Sequence, residues 1–134
     1  MSESVPSSPA ILGVGVDLIE IDRIHKAWER HGQQFLERIL TQEERDYCMS
    51  KTHSAPSIAA RFAAKEAASK ALGTGIGKDL EWHSVAIHKG PRDEPIAVLD
   101  EKAQRLIEKC GGKKLLISLT HTKTLAQAVA IIST

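Results

Sequence analysis

The fold of this chain is decided by the stretch ARFAAKEAASKAL at residues 60–72, which has helical spacing. At 100° per residue, the alanines at 60, 63, 64, 67, 68 and 71 fall on one side, and the charged residues fall on the other. A side made of alanine permits a neighbouring element to approach very closely. The stretch therefore predicts one long helix, which begins after Ser54-Ala55-Pro56 and ends at Gly73.

Strand and helix patterns lie on both sides of this long helix. Apolar, β-branched segments predict strands at residues 11–19, 82–88, 95–99, 115–119 and 125–132. Helical spacing predicts further helices at residues 21–31, from Thr41 to about Met49, and after Asp100. Because most neighbouring strands are joined by short turns, this order predicts an α+β fold with a largely antiparallel sheet packed against the long helix.

Length and composition exclude several classes of protein. A chain of 134 residues fits one domain, which we assign to residues 11–134, after a polar, Ser/Pro-rich tail at residues 1–10 that we expect to be disordered. The net charge is +1 with 26% charged residues, so no overall field favours binding to nucleic acid or to a membrane. No apolar run approaches the length of a membrane span.

The two cysteines, Cys48 and Cys110, lack the spacing of a metal-binding motif. Both lie in segments with helical spacing, where we interpret them as small apolar packing residues. Free cysteines are typical of a reducing compartment. Because the first ten residues also lack the pattern of a signal peptide, we expect a cytoplasmic protein.

Two carboxylates stand in segments that otherwise look buried. Asp17 lies near the end of the strand segment GVGVDL, residues 13–18, and Glu66 lies in the long helix. Mg²⁺ prefers one or two carboxylates completed by water and phosphate oxygens, so the pair predicts a magnesium site. Simpler interpretations stay open, because Asp17 could be a turn former or helix cap and Glu66 could form a solvated i, i+4 pair with Lys70.

The surroundings of Glu66 favour binding of a polyanion. Arg61, Lys65 and Lys70 share its side of the helix. The glycines at 73, 75 and 77 follow, and in such a loop backbone N–H groups can approach phosphate oxygens. The alternative is that the first of these glycines only caps the helix.

A second candidate anion site is the polar hairpin at residues 120–124, which contains His121. Its hydroxyl, imidazole and ammonium groups could hold a phosphate together. The alternative is a solvated turn histidine.

Four sequence blocks, in this order, resemble the holo-[acyl-carrier-protein] synthase family of 4′-phosphopantetheinyl transferases. They are GVGVDLIEIDRI at residues 13–24, RILT at 38–41, RFAAKEAASKALGTGIG at 61–77 and SLTHT at 118–122. The combination of the Asp block with the Lys-Glu-Ala-x-x-Lys block is highly specific. The match covers nearly the whole chain from Ile11 onward, so the resemblance implies the fold of that family.

The resemblance implies Mg²⁺-dependent transfer of 4′-phosphopantetheine from coenzyme A to a serine of an apo acyl carrier protein, in fatty acid biosynthesis. It implies that Asp17 and Glu66 bind Mg²⁺ with the coenzyme A pyrophosphate, and that Lys70 stabilises or protonates the leaving phosphate. Whether Glu66 also takes the serine proton stays open. The residues that would hold the nucleotide end are Arg61, Gly73, Gly75, His121 and Thr122.

The resemblance also implies two kinds of protein contact. Acyl carrier proteins are acidic, so the basic face formed by Arg23, Lys26 and Arg30 would steer the carrier, and we rank Arg23 first and Lys26 last. Small members of the family form trimers with coenzyme A between neighbouring subunits, so we expect a homotrimer. The alternatives are a metal-dependent pyrophosphate hydrolase, which needs no carrier, and a module that binds coenzyme A or the carrier without catalysis.

Overall fold

The computed structural model describes residues 8–134, so residues 1–7 of the tail that we expect to be disordered lie outside it. Over the described residues the chain forms five strands, five α-helices and a 3-10 turn. In chain order these elements are β1 (Ile11–Glu20), α1 (Ile21–His31), α2 (Gln33–Ile39), α3 (Gln42–Met49), α4 (Ser54–Leu72), the 3-10 turn (Trp82–Ser84), β2 (Val85–Lys89), β3 (Pro95–Leu99), α5 (Glu101–Lys109), β4 (Lys114–His121) and β5 (Leu125–Ser133).

The strands form two antiparallel sheets, one with the order β1-β5-β4 and one made of β2 and β3. This confirms the α+β class and the antiparallel pairing, although the strands divide between two sheets. At the edge of the larger sheet the two ends of the described chain meet. The amide of Thr134 donates to the carbonyl oxygen of Ala10 at 3.0 Å, and the amide of Ala10 donates to Oγ1 of Thr134 at 2.9 Å.

The long helix α4 packs on β1 through glycine and alanine. A Cβ atom added to Gly15 would lie 1.9 Å from the carbonyl oxygen of Ala67, and one added to Gly13 would lie 2.3 Å from that of Ala71. No side chain fits at either position, so the strand and helix backbones come closer than any larger residue would permit. The alanines of α4 at 60, 63, 64, 67 and 68 are buried, which confirms the predicted packing side.

Several predicted helix signals are confirmed by backbone geometry and hydrogen bonds. Gly73 ends α4 with a left-handed φ of 76°. Thr41 and Glu44 form the reciprocal capping box that begins α3. Asp100 begins α5, because its side chain accepts a hydrogen bond from the amide of Ala103 at 2.9 Å.

The opposite side of α4 is more buried than a row of charges predicts. Lys65 is fully buried, and its Nζ donates to Oε1 of Glu44 at 2.7 Å and to the carbonyl oxygen of Trp82 at 2.8 Å. Burial lowers the pKa of Lys65, and the adjacent Glu44 partly offsets this effect. The expectation that Lys65 joins the cations around Glu66 is therefore wrong, because its ammonium group is buried in the core and bound to Glu44 and Trp82.

Two local predictions also differ from the structure. Residues 82–84 form a 3-10 turn where a strand is predicted, because the amide of Glu81 and the hydroxyl of Ser84 close a capping turn. Strand β4 continues through His121, which pairs with Ala126, so the hairpin turn shortens to residues 122–124. No helix within residues 8–134 combines the length and the apolar character needed to cross a membrane.

The two cysteines differ from each other in environment. Cys48 is buried as expected, and burial raises the pKa of its thiol to about 11. Cys110 is exposed, because it follows the last turn of α5 and ends the helix. The prediction that it packs in the core is wrong.

Candidate active site

The first group of site residues lies where β1 crosses α4. Alternate residues of β1 face the helix, so Asp17 shares the inward side with Gly13 and Gly15. Lys70 reaches across from α4, and its Nζ donates to Oδ1 of Asp17 at 3.1 Å and to the carbonyl oxygen of Val16 at 3.0 Å. Lys70 thus pairs with the strand carboxylate instead of forming the i, i+4 pair with Glu66.

The charges of Asp17 and Lys70 also act on Glu66. Partial burial raises the pKa of its carboxyl group, and the nearby carboxylate of Asp17 raises it further, while the ammonium of Lys70 opposes both effects. The structure therefore brings Asp17, Glu66 and Lys70 together, although they come from two distant parts of the chain. Two carboxylates that repel each other in a partly buried site form a donor set that suits a hard cation.

Glu66 also lines a cavity of about 660 Å³. Arg38 of α2, Gly77 of the loop after α4 and Trp82 of the 3-10 turn form other parts of its wall. The ring of Trp82 packs against Phe62 with centroids 4.9 Å apart. The cavity therefore offers room for a substrate beside Glu66, under a wall built by three separate elements.

Arg61 and His121 line a different cavity, of about 610 Å³. Arg61 is 4% exposed, and its Nε has no hydrogen-bond partner among the described residues. Its guanidinium lies 4.4 Å from the ring centroid of Tyr47. A buried guanidinium with an unused donor, opening into a cavity, is suited to an anionic ligand.

Two further cations surround the same aromatic ring. Lys51 and Lys89 place their Nζ atoms 4.7 and 5.7 Å from the ring centroid of Tyr47. Although burial raises the pKa of the Tyr47 hydroxyl, these two ammonium groups outweigh it, so the pKa is lowered overall. Sequence reasoning missed all three residues, because they are scattered through α3, the loop after it and β2.

The other residues predicted to bind the nucleotide end of coenzyme A lie elsewhere in the structure. Gly73 and Gly75 follow the C-terminal end of α4, whereas Arg61 lies near its middle, and the 12 residues from Arg61 to Gly73 correspond to about 18 Å of helix. Thr122 lines a neighbouring cavity of about 610 Å³ with His121. Its Oγ1 already accepts hydrogen bonds from two amides of the hairpin turn, at 3.0 and 3.3 Å. Within one subunit, the residues predicted to bind the nucleotide therefore lie in two separate regions.

The basic face of α1 is exposed to solvent. Arg23, Lys26 and Arg30 are all exposed. Lys26 pairs with Asp22 one turn earlier, with Nζ 2.9 Å from Oδ2. Within residues 8–134 neither arginine has a carboxylate partner, so the two arginines present the free positive charge of this face.

Comparison with known proteins supports the same reading of the fold. A sequence model of the 4′-phosphopantetheinyl transferase superfamily matches residues 13–129. Over 121 residues the chain is 46% identical to the holo-[acyl-carrier-protein] synthase of Chlamydia trachomatis serovar L2, an alignment that covers 90% of this chain and 98% of that protein.

Two solved structures extend the comparison. The holo-[acyl-carrier-protein] synthase of Neisseria meningitidis superposes with a TM-score of 0.86 at 28% identity, covering 92% of this chain and 98% of that one. The enzyme of Helicobacter pylori, solved in complex with coenzyme A, gives a TM-score of 0.79 at 36% identity, covering 89% and 98%.

Proposed function

The chain belongs to the holo-[acyl-carrier-protein] synthase family of 4′-phosphopantetheinyl transferases, and we propose that it uses Mg²⁺ held by Asp17 and Glu66. It transfers the 4′-phosphopantetheine of coenzyme A to a serine of an apo acyl carrier protein and releases adenosine 3′,5′-bisphosphate, a step of fatty acid biosynthesis. One observation carries the proposal: Asp17, Glu66 and Lys70 converge where α4 crosses β1.

The two carboxylates fit a magnesium ion. Burial and the charge of Asp17 both raise the pKa of Glu66, and a cation shared by the two groups would relieve both effects. Among residues 8–134 no cluster of three or more His, Cys, Asp or Glu side chains could hold a metal alone, so water and pyrophosphate oxygens would complete the coordination. When bound, Mg²⁺ would offset the charge that develops on the pyrophosphate oxygens.

Lys70 and Glu66 supply the proton chemistry in this proposal. The carrier serine oxygen bonds to the phosphorus that bears pantetheine, and the bond from that phosphorus to the bridging oxygen breaks. The released phosphate receives a hydrogen bond or a proton from Nζ of Lys70, whose side chain is about half exposed. In this proposal Glu66 also takes the serine proton, directly or through water.

The second cavity suits the nucleotide end of coenzyme A. Arg61, Lys51, Lys89 and His121 line it, so it presents cationic and hydrogen-bonding groups to the phosphates. At 3.6 residues per turn, Arg61 and Glu66 lie at opposite margins of the charged side of α4, about 140° apart, and they line separate cavities of one subunit. This separation supports a site shared between neighbouring subunits.

The outer face of the larger sheet supports the homotrimer. Leu12, Val14, Val16 and Leu18 alternate on the side of β1 that faces away from α4, and each is 41% to 58% exposed. Leu116 of β4 extends this apolar face at 51% exposure. Uncovered apolar surface of this kind marks an interface, so we propose that copies of the chain associate through it. Light scattering at micromolar concentration would measure the number of subunits directly.

The exposed face of α1 is the proposed docking surface for the acidic carrier. Arg23 and Arg30 carry free charge, whereas Asp22 partly neutralises Lys26. Long-range attraction between such a face and an acidic partner raises the association rate and is weakened by salt. We propose the cytoplasm as the location, since both cysteines are free thiols.

The experiment that tests the function mixes the protein with coenzyme A, Mg²⁺ and an apo acyl carrier protein, and measures the mass of the carrier. We expect the carrier to gain one phosphopantetheine, and we expect Asp17→Asn and Glu66→Gln to abolish this gain while the protein stays folded. Coenzyme A consumed without a carrier would indicate the pyrophosphate hydrolase instead. Binding of coenzyme A without any reaction would indicate the non-catalytic module.

A further inference from the structure

Glu44 and Lys65 form a buried ion pair that the proposed mechanism does not use. Both side chains are fully buried, and Nζ lies 2.7 Å from Oε1. Lys65 is the immediate neighbour of Glu66 on α4. Burying two charges costs desolvation energy, so such a pair is weak evidence for stability and raises the question of what else it does.

The pair connects four elements of the fold. Besides Lys65, the carboxylate of Glu44 accepts hydrogen bonds from the amide of Thr41 at 2.9 Å and from the amide of Ile87 at 2.8 Å. Lys65 donates its second hydrogen bond to the carbonyl oxygen of Trp82. The pair therefore joins α3, α4, the 3-10 turn and β2 at one point, and Trp82 belongs to the wall of the Glu66 cavity.

On its alanine side α4 packs closely on the glycines of β1, and Lys70 binds Asp17 and the carbonyl oxygen of Val16. On the side of Lys65, the buried pair adds directional contacts to α3, β2 and the 3-10 turn. Since side-chain atoms lie about 5–6 Å from a helix axis, a rotation of about 10° moves them by about 1 Å. A displacement of about 1 Å at a reacting group can cost about 100-fold in rate.

We propose that the Glu44–Lys65 pair is a positioning pair, which fixes the rotation of α4 and thereby aims the carboxylate of Glu66 at the substrate. The inference rests on the proposed function of Glu66. It assigns to the pair an effect on kcat and on metal binding, and little effect on the stability of the fold. Directional hydrogen bonds that join four elements restrict this orientation more than the contact with β1 does alone.

The test is the double variant Glu44→Gln/Lys65→Met, which removes both charges at similar volume. The amide oxygen of Gln can accept from only one of the two backbone amides, those of Thr41 and Ile87, that the carboxylate binds. We expect a folded protein with a modestly lower melting temperature, because no uncompensated charge is left in the core but one backbone amide loses its partner. We expect kcat to fall about 10- to 100-fold. We expect KM for the carrier to change less than about 2-fold, because α1 is not altered.

A second readout does not depend on turnover. Calorimetric titration of Mg²⁺ in the presence of coenzyme A should show an affinity about 10-fold weaker in the double variant, since a misplaced Glu66 is a poorer ligand. The matched control is Ile107→Val, which perturbs the core at α5 and should leave kcat and metal affinity unchanged.

Each outcome decides the question. Wild-type kcat and metal affinity in the folded double variant would overturn the inference. Failure of the double variant to fold, while the control folds, would also overturn it, because the pair would then serve stability. Absence of transfer by the wild-type protein, assayed in parallel, would contradict the proposed function itself.

Discussion

Lys70 on α4 and Asp17 on β1, 53 positions apart in the chain, share a hydrogen bond of 3.1 Å between Nζ and Oδ1. The same ammonium also binds the carbonyl oxygen of Val16, so the lysine is held by the strand at two points. The proposed metal ligand and the proposed leaving-group cation are therefore positioned by one helix-strand contact. A change at either residue should affect chemistry more than stability.

Replacing Lys70 with Met should reduce kcat by about 100- to 1,000-fold, the usual cost of losing one donor that stabilises developing charge. KM for coenzyme A should change much less. Because the Lys70–Asp17 pair is partly exposed, the loss of unfolding free energy should stay below about 1 kcal/mol. Steady-state kinetics and thermal melting measure these quantities.

The control for this variant is Lys109→Met, which removes an exposed ammonium from the last turn of α5. It should retain wild-type kcat. Equal losses in the two variants would show that general charge, and not the position of Lys70, matters.

Arg61→Gln should act on coenzyme A affinity. The guanidinium is buried against Tyr47 and opens into the second cavity with an unused donor, so its loss should raise KM for coenzyme A by about 10- to 100-fold. The exposed Arg105, which pairs with Glu101 at 2.9 Å, provides the matched control Arg105→Gln. An unchanged KM in Arg61→Gln would remove the second cavity from coenzyme A binding.

The raised pKa of Glu66 predicts a pH-dependent effect on stability in the absence of metal. The folded state binds the Glu66 proton more tightly than the unfolded state, so ionised Glu66 costs stability above its raised pKa and costs nothing once protonated. Glu66→Gln should therefore be more stable than the wild type at pH 7, by less than about 1 kcal/mol.

This difference should shrink as the pH falls from 7 through the raised pKa towards the ordinary value of 4.5. Urea unfolding of both proteins at several pH values measures it. A difference that grows on acidification would contradict the raised pKa.

Gly15→Ala tests the contact between β1 and α4. The added methyl group would overlap the backbone of Ala67, which cannot move without shifting the helix. We expect a loss of about 3 kcal/mol or more in unfolding free energy, at the upper end of overpacking effects. Gly77→Ala is the control, since a Cβ atom there meets nothing within 4 Å. Similar stability of the two variants would contradict the close approach.

Charge reversal on α1 tests the carrier surface. Arg23→Glu should raise KM for an acidic carrier several-fold more than Lys26→Glu does, because Asp22 already neutralises Lys26 in part. The difference in KM for the carrier between the two variants should decrease as the salt concentration rises above about 0.1 M. Equal effects at every salt concentration would show that the arginine has no special role.

Local sequence patterns predicted much of the fold. Helices begin or end at Gly73, at Asp100 and at the Thr41–Glu44 capping box through contacts within a few residues. Such local signals can be recognised from the sequence alone. The division into two sheets depends on which strands meet in space. Lys65 was misplaced for the same reason, because its partner Glu44 lies 21 residues away.

The candidate site was predictable to the same extent. Asp17, Glu66 and Lys70 stand in distinctive blocks, and the structure brings these three together. Tyr47, Lys51 and Lys89 belong to no such block and meet only because α3 and β2 are neighbours in the fold. Sequence patterns therefore predicted which residues meet where α4 crosses β1, but not the residues that line the second cavity.

The hydrogen bonds between Ala10 and Thr134 have a consequence for protein engineering. Because Ala10 and Thr134 already touch beside the larger sheet, a short linker could join these two residues without stretching the chain. New ends could then be opened in the turn at residues 90–94, on the smaller sheet. The order of elements along the chain is thus separable from their arrangement in space, and a circularly permuted protein can present the same three residues of the proposed site.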